Sequence, residues 1–87
     1  MNLKEKKMFN PDMYYDTSIV IEERLPEILQ NDFATIEKAI KENDEFAYLL
    51  TREGLEVSAK ACWHNGTISE NTFWLIYHKV GLYYDRV

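Results

Sequence analysis

Cys62, His64 and His78 are the side chains here best suited to hold a soft metal ion or to pair a nucleophile with a base. A protein zinc site needs three or four ligands converging on one point. On a helix, positions 62 and 64 diverge by about 200°, so they cannot share an ion. His64 and His78 can approach each other across a turn, but two imidazoles alone make a weak site. No metal and no cofactor is expected. A Cys62/His78 pair is the one thiol-dependent arrangement the spacing allows, and it stands as a remote alternative. Cys62 falls on an apolar face, where a thiol behaves as a small hydrophobe unless nearby positive charge lowers its pKa. No orienting third group or oxyanion-hole motif accompanies it, so catalysis is not expected.

The paired carboxylates Glu22-Glu23 and Asp44-Glu45 fare no better. Adjacent residues on a helix point about 100° apart, which suits surface charge rather than general acid–base work. Gly54, Gly66 and Gly81 are isolated, and no phosphate-cradling loop results.

Charge narrows the partners. The chain has 87 residues and a net charge of −5, unevenly spread. Residues 1–11 carry +2, Asp12 to Glu56 carries −8, and Val57 to Val87 carries +1. Nucleic-acid affinity comes largely from neutralising phosphates, which an acidic chain without a basic stripe does poorly. A helix-turn-helix reader needs Arg, Lys, Asn or Gln along its second helix, whereas Glu70, Asn71 and Thr72 are followed here by Trp74 and Leu75. Neither a nucleic-acid partner nor a membrane is expected, because no apolar run approaches the ~20 residues a span requires. The acidic middle suits the solvated faces of helices. Its sharper alternative is an acidic inhibitor that mimics nucleic-acid phosphates in the cleft of a basic protein. One cysteine permits no intrachain disulfide, and the expected setting is the cytoplasm.

Apolar spacing at three and four, with few glycines and prolines, predicts an all-α fold. Four helices are expected in one domain over 11–87, after a flexible basic segment over 1–10. The first, 11–30, opens at Asn10-Pro11-Asp12 and keeps Tyr14, Ile21, Leu25, Ile28 and Leu29 in one stripe, with a kink near Pro26. The second, 32–43, is capped by Asn31-Asp32 and buries Phe33, Ile36 and Ile40. The third, 44–65, carries two apolar faces, Phe46, Leu50, Val57 and Ala61 on one side and Tyr48, Leu55, Ala59 and Cys62 on the other. Such a helix is expected at the centre of the bundle, flanked on both sides. Gly54 marks either a close approach by a neighbouring helix or a break near Thr51–Gly54. The fourth, 69–80, is capped by Ser69 and closed by Gly81.

Phe73, Ile76, Tyr77 and Val80 form the expected core stripe of that last helix, which leaves Trp74, Leu75, His78 and Leu82 off it. Apolar residues away from a core stripe need a second partner: the 11–30 helix folding back, or another protein chain. The expected role is therefore a small acidic protein-interaction module, binding another protein or a second copy of itself. Its candidate contact residues are Trp74, Leu75, His78, Leu82 and Tyr83, Trp and Tyr being enriched at binding hot spots.

Overall fold

The computed structural model describes residues 10–11 and 14–82. Among them are three α-helices, α1 (Glu27–Lys41), α2 (Glu45–His64) and α3 (Glu70–Lys79), and no strands. No described helix is long and apolar enough to cross a membrane.

The expected 11–30 helix does not form. Pro11 contributes only a short turn, with Tyr14 N and Tyr15 N both donating to its carbonyl. Residues 15–26 then run as an irregular strap. Two local features favour this over a helix. Asp16 turns the chain by accepting from Ser18 N at 2.9 Å, a geometry that competes with helical bonding. The β-branched run Ile19-Val20-Ile21 follows it, and such residues lose side-chain freedom in a helix. Pro26 is not a kink but the N-cap of α1, at φ −58° and ψ 156°. Its ring needs no N–H there, and its carbonyl accepts from Leu29 N and Gln30 N at 3.0 Å each. The residue before a proline is pushed out of helical conformation, and Leu25 accordingly lies outside the helix. α1 then passes straight through Asn31-Asp32, so the expected second N-terminus is absent and the expected first and second helices reduce to one. The apolar stripe drawn through Tyr14 to Leu29 is broken accordingly: Leu29 is buried, whereas Ile28 is 54 % exposed.

α1 and α2 form an antiparallel hairpin, the most extensive contact between described helices. Its connection turns at Asn43 in the left-handed region, φ 57°, and Asp44 then caps α2 by accepting from Ala47 N at 3.0 Å. α2 is unbroken at Thr51–Gly54. It ends at Asn65 and Gly66 (φ 81°), and Ser69 opens α3 by accepting from Thr72 N at 3.1 Å.

The strap takes the place of a fourth helix. It runs antiparallel to α3, fastened at one end by Asp16 N to Lys79 O (2.8 Å) and at the other by Glu23 to Ser69 and Thr72. Tyr48, Leu29, Ile36, Leu55, Ile76 and Val80 are fully buried and make the centre of the core. Tyr48 keeps its hydroxyl satisfied by donating to Val80 O at 2.9 Å. Gly81, at φ 81°, turns the chain inward, so Leu82 is buried rather than facing away from the core as its helical phase implied.

Candidate functional site

α2 presents the feature that stands out. Its Tyr48–Leu55–Ala59–Cys62 face is buried against α1 and α3, and the opposite face is not covered by any described residue. Phe46 is 76 % exposed, Leu50 61 % and Val57 70 %. The expected position of α2, flanked on both sides, is therefore corrected: among the described residues it has neighbours on one face. Soluble monomers scatter single apolar residues over their surface, but three large ones in one helical stripe form a contiguous patch.

Small residues border that stripe. Ala47, Gly54 and Ala61 recur every seven residues beside Leu50 and Val57, which are also seven apart. A heptad of small side chains on one helix lets the backbone of another approach closely. Gly54 is the informative member. A Cβ added there would meet no described atom within 4 Å, so no neighbour within the described fold demands a glycine. Gly in a helix interior costs about 1 kcal/mol relative to Ala. Gly81 is the opposite case, because a Cβ there would stand 2.6 Å from the Tyr14 carbonyl oxygen.

The polar surroundings of the stripe are asymmetric. α2 begins beside Glu42, Asp44 and Glu45 and ends with Lys60 and His64, all exposed. Glu53 lies on the stripe's border, and with Phe46, Leu49 and Leu50 it lines a shallow depression of about 280 Å³. Sequence reasoning identified both faces of α2 but assigned neither to docking; the signal was the second apolar face itself, together with an unexplained glycine.

The residues expected to make the contact surface differ in exposure, with Trp74, Leu75 and His78 together on α3. Trp74 is 42 % exposed and its Nε1 donates to Glu70 Oε2 at 3.3 Å. His78 is exposed, Leu75 half-buried and Leu82 buried, and Tyr83 lies outside the described residues. Trp74 belongs to an aromatic cluster rather than standing alone. Trp63 stacks on Phe73 at 4.7 Å between centroids, and Trp74 meets Phe73 edge-on at 5.0 Å and Tyr77 at 5.3 Å. These rings largely satisfy one another across the α2–α3 junction.

A second concave feature lies between the strap and α1. It is an open cleft of about 460 Å³, floored by Phe33 and Ala34 and roofed by Ile19, Val20 and Ile21. Tyr15 donates to Glu37 Oε2 at 3.2 Å on its edge, and burial, with the Glu37 charge second, pushes the Tyr15 phenol well above its usual range. Lys79 Nζ donates to Ile19 O at 2.6 Å and Asp16 O at 3.3 Å, 4.9 Å from the Tyr15 ring centroid. These contacts fasten the strap.

Of the candidate reactive groups, Cys62 is buried in the core, and His64 and His78 are exposed. No group of three or more His, Cys, Asp and Glu side chains suited to a metal occurs among the described residues. Several carboxylates of the acidic middle are engaged within the fold: Asp16 with Ser18, Glu23 with Ser69 and Thr72, Glu37 with Tyr15, and Asp44 with Ala47. The chain matches no known family model, no curated protein and no solved structure.

Proposed function

We propose that this protein is a helical interaction module and that its docking element is the outward face of α2, which receives an amphipathic α-helix. The observation that carries the reading is the coincidence, on one helix face, of Phe46, Leu50 and Val57 in water with a glycine that nothing described in the fold requires. Burying exposed apolar side chains against a second helix recovers about 25 cal/mol for each Å² removed from water. Gly54 and Ala61, both exposed, permit an approach near the lower end of the 8–10 Å range of helix packing.

The supporting experiment uses a synthetic 18-residue amphipathic helix with Leu and Ala at its apolar positions, titrated into the isotopically labelled full chain. The expected result is amide shifts concentrated at residues 46–61 and abolished by Leu50→Glu with Val57→Glu, a variant whose circular dichroism stays native. Shifts confined to the Trp74 surface, or unaffected by the double variant, would overturn the assignment.

A further inference from the structure

We infer that the occupant of the α2 face is a second copy of this chain, packed antiparallel about a two-fold axis that passes beside the peptide joining Glu53 and Gly54. This rests on α2 being the docking element and goes further by naming the partner and the register.

An isologous interface requires one patch to complement itself, so that residue i meets j and j meets i. About the Glu53–Gly54 midpoint, α2 meets that condition. Leu50 and Val57 are equidistant from it and oppose one another across the axis, twice. Phe46 and Ala61 are equidistant as well, so the exposed Phe46 ring of one copy lies over the small Ala61 side chain of the other. Gly54 falls at the crossing itself, where the two backbones come nearest and a side chain would hold them apart. A register displaced by a turn sets Phe46 opposite Val57 or Ser58 in one direction and His64 or Asn65 in the other, and it parts Leu50 from Val57.

Electrostatics favour the same orientation. Antiparallel packing brings the acidic start of α2, with Glu42, Asp44 and Glu45, to the end of the second copy that bears Lys60 and His64. It also sets opposite ends of the helix macrodipoles side by side. One pairing is unfavourable: Glu53 of each copy lies on the same border next to the axis, and like charges face each other. The stripe spans residues 46–61, roughly 24 Å of helix, on an element about 10 Å wide. That is a small interface of the weak, reversible class. The expected association is micromolar and in rapid exchange, suited to a protein whose core is already closed by its own helices.

The test fixes the register rather than only the mass. In a Cys62→Ala background, the single-cysteine variants Leu50→Cys and Val57→Cys are prepared and mildly oxidised, separately and mixed in equal amounts. The register predicts that the mixture gives mainly the mixed disulfide, at least about fivefold over either homogeneous dimer, since only the mixed pair comes within disulfide reach. Equal yields from all three, or Leu50→Cys coupling best with itself, would overturn it. Sedimentation equilibrium of the unmodified chain over 5–500 µM provides the independent arm. A concentration-dependent dimer is expected, weakened at least tenfold by Gly54→Leu and strengthened about twofold by Glu53→Gln. A strict monomer across that range overturns the second copy as occupant while leaving the synthetic-helix titration free to succeed. Failure of both would remove α2 as the docking element.

Discussion

Glu23 and Ser69, 46 residues apart in the chain, meet where a carboxylate completes the opening turn of α3: Glu23 Oε1 accepts from Ser69 Oγ at 2.9 Å and from Ser69 N at 3.3 Å, and also from Thr72 Oγ1. A negative charge at a helix N-terminus is favoured by the dipole, and here it arrives from a distant segment. The strap is thereby joined to α3 by a group that titrates.

The Thr72 and Ser69 hydrogen bonds hold the Glu23 carboxyl below its ordinary value near 4.5. Asp16 is lowered too, chiefly by Ser18. A group depressed in the folded state lends stability above its unfolded pKa and withdraws it as pH falls through the folded one. Asp32 works in the opposite sense, because burial raises its pKa and acidification relieves that cost. Thermal melts of the unmodified chain are expected to lose Tm progressively below about pH 4.5. Glu23→Gln should start lower at pH 7 and fall less steeply, and parallel curves for the two proteins would contradict this.

The glycines should respond oppositely to the same substitution. Gly54→Ala adds helix propensity in open space and is expected to stabilise the dilute protein by about 1 kcal/mol, or roughly 4–8 °C in Tm. Gly81→Ala forces a side chain into a left-handed conformation and against the Tyr14 backbone, so a loss of about 2 kcal/mol or more is expected in urea unfolding.

Tyr48→Phe removes the hydroxyl that serves Val80 O inside the core. The cavity is negligible and the cost is that of a lost buried hydrogen bond, about 1–2 kcal/mol. Arg52 lies 5.9 Å from the same ring centroid and 5.5 Å from that of Tyr14, so the aromatic platform under this buried guanidinium survives the change. Urea unfolding is the measurement, with native circular dichroism as the control.

Trp74→Ala separates the two surfaces. Trp74 shares edge contacts with Phe73 and Tyr77, and such pairs contribute about 0.5–1.5 kcal/mol beyond area burial. A modest drop in stability is expected, with sedimentation unchanged. A Trp74→Ala variant that loses self-association would move the interface to α3.

The ends of α2 and α3 were legible because each carries its own chemistry: Asp44 and Ser69 accept from the first-turn amides, and Gly66 and Gly81 adopt φ 81°. The N-terminal third misled because its apolar spacing imitates a helix. Tyr14 packs on the core from the turn at Pro11, and Ile21 and Leu25 from the irregular strap; spacing cannot distinguish that from one helical face. Pro26 was the warning, since a helix start and a kink use the same residue and only the segment before it decides. For the site, periodicity revealed that α2 has two apolar faces, but coverage of a face is a tertiary fact. Leu82 shows the same limit, since a single left-handed glycine rotates it from the outside into the core.

Because Glu23 reaches back to Ser69, the loop it closes contains the whole of α1 and α2. The hairpin of those two helices is local and can assemble quickly, whereas seating the strap must wait for the ends of that long loop to meet. Amide hydrogens over 17–22 should therefore exchange with solvent through brief local opening, while those of α1 and α2 await global unfolding. Among the described residues, a protease given limited time would cut first between Thr17 and Glu22, and the helical hairpin would outlast the nick.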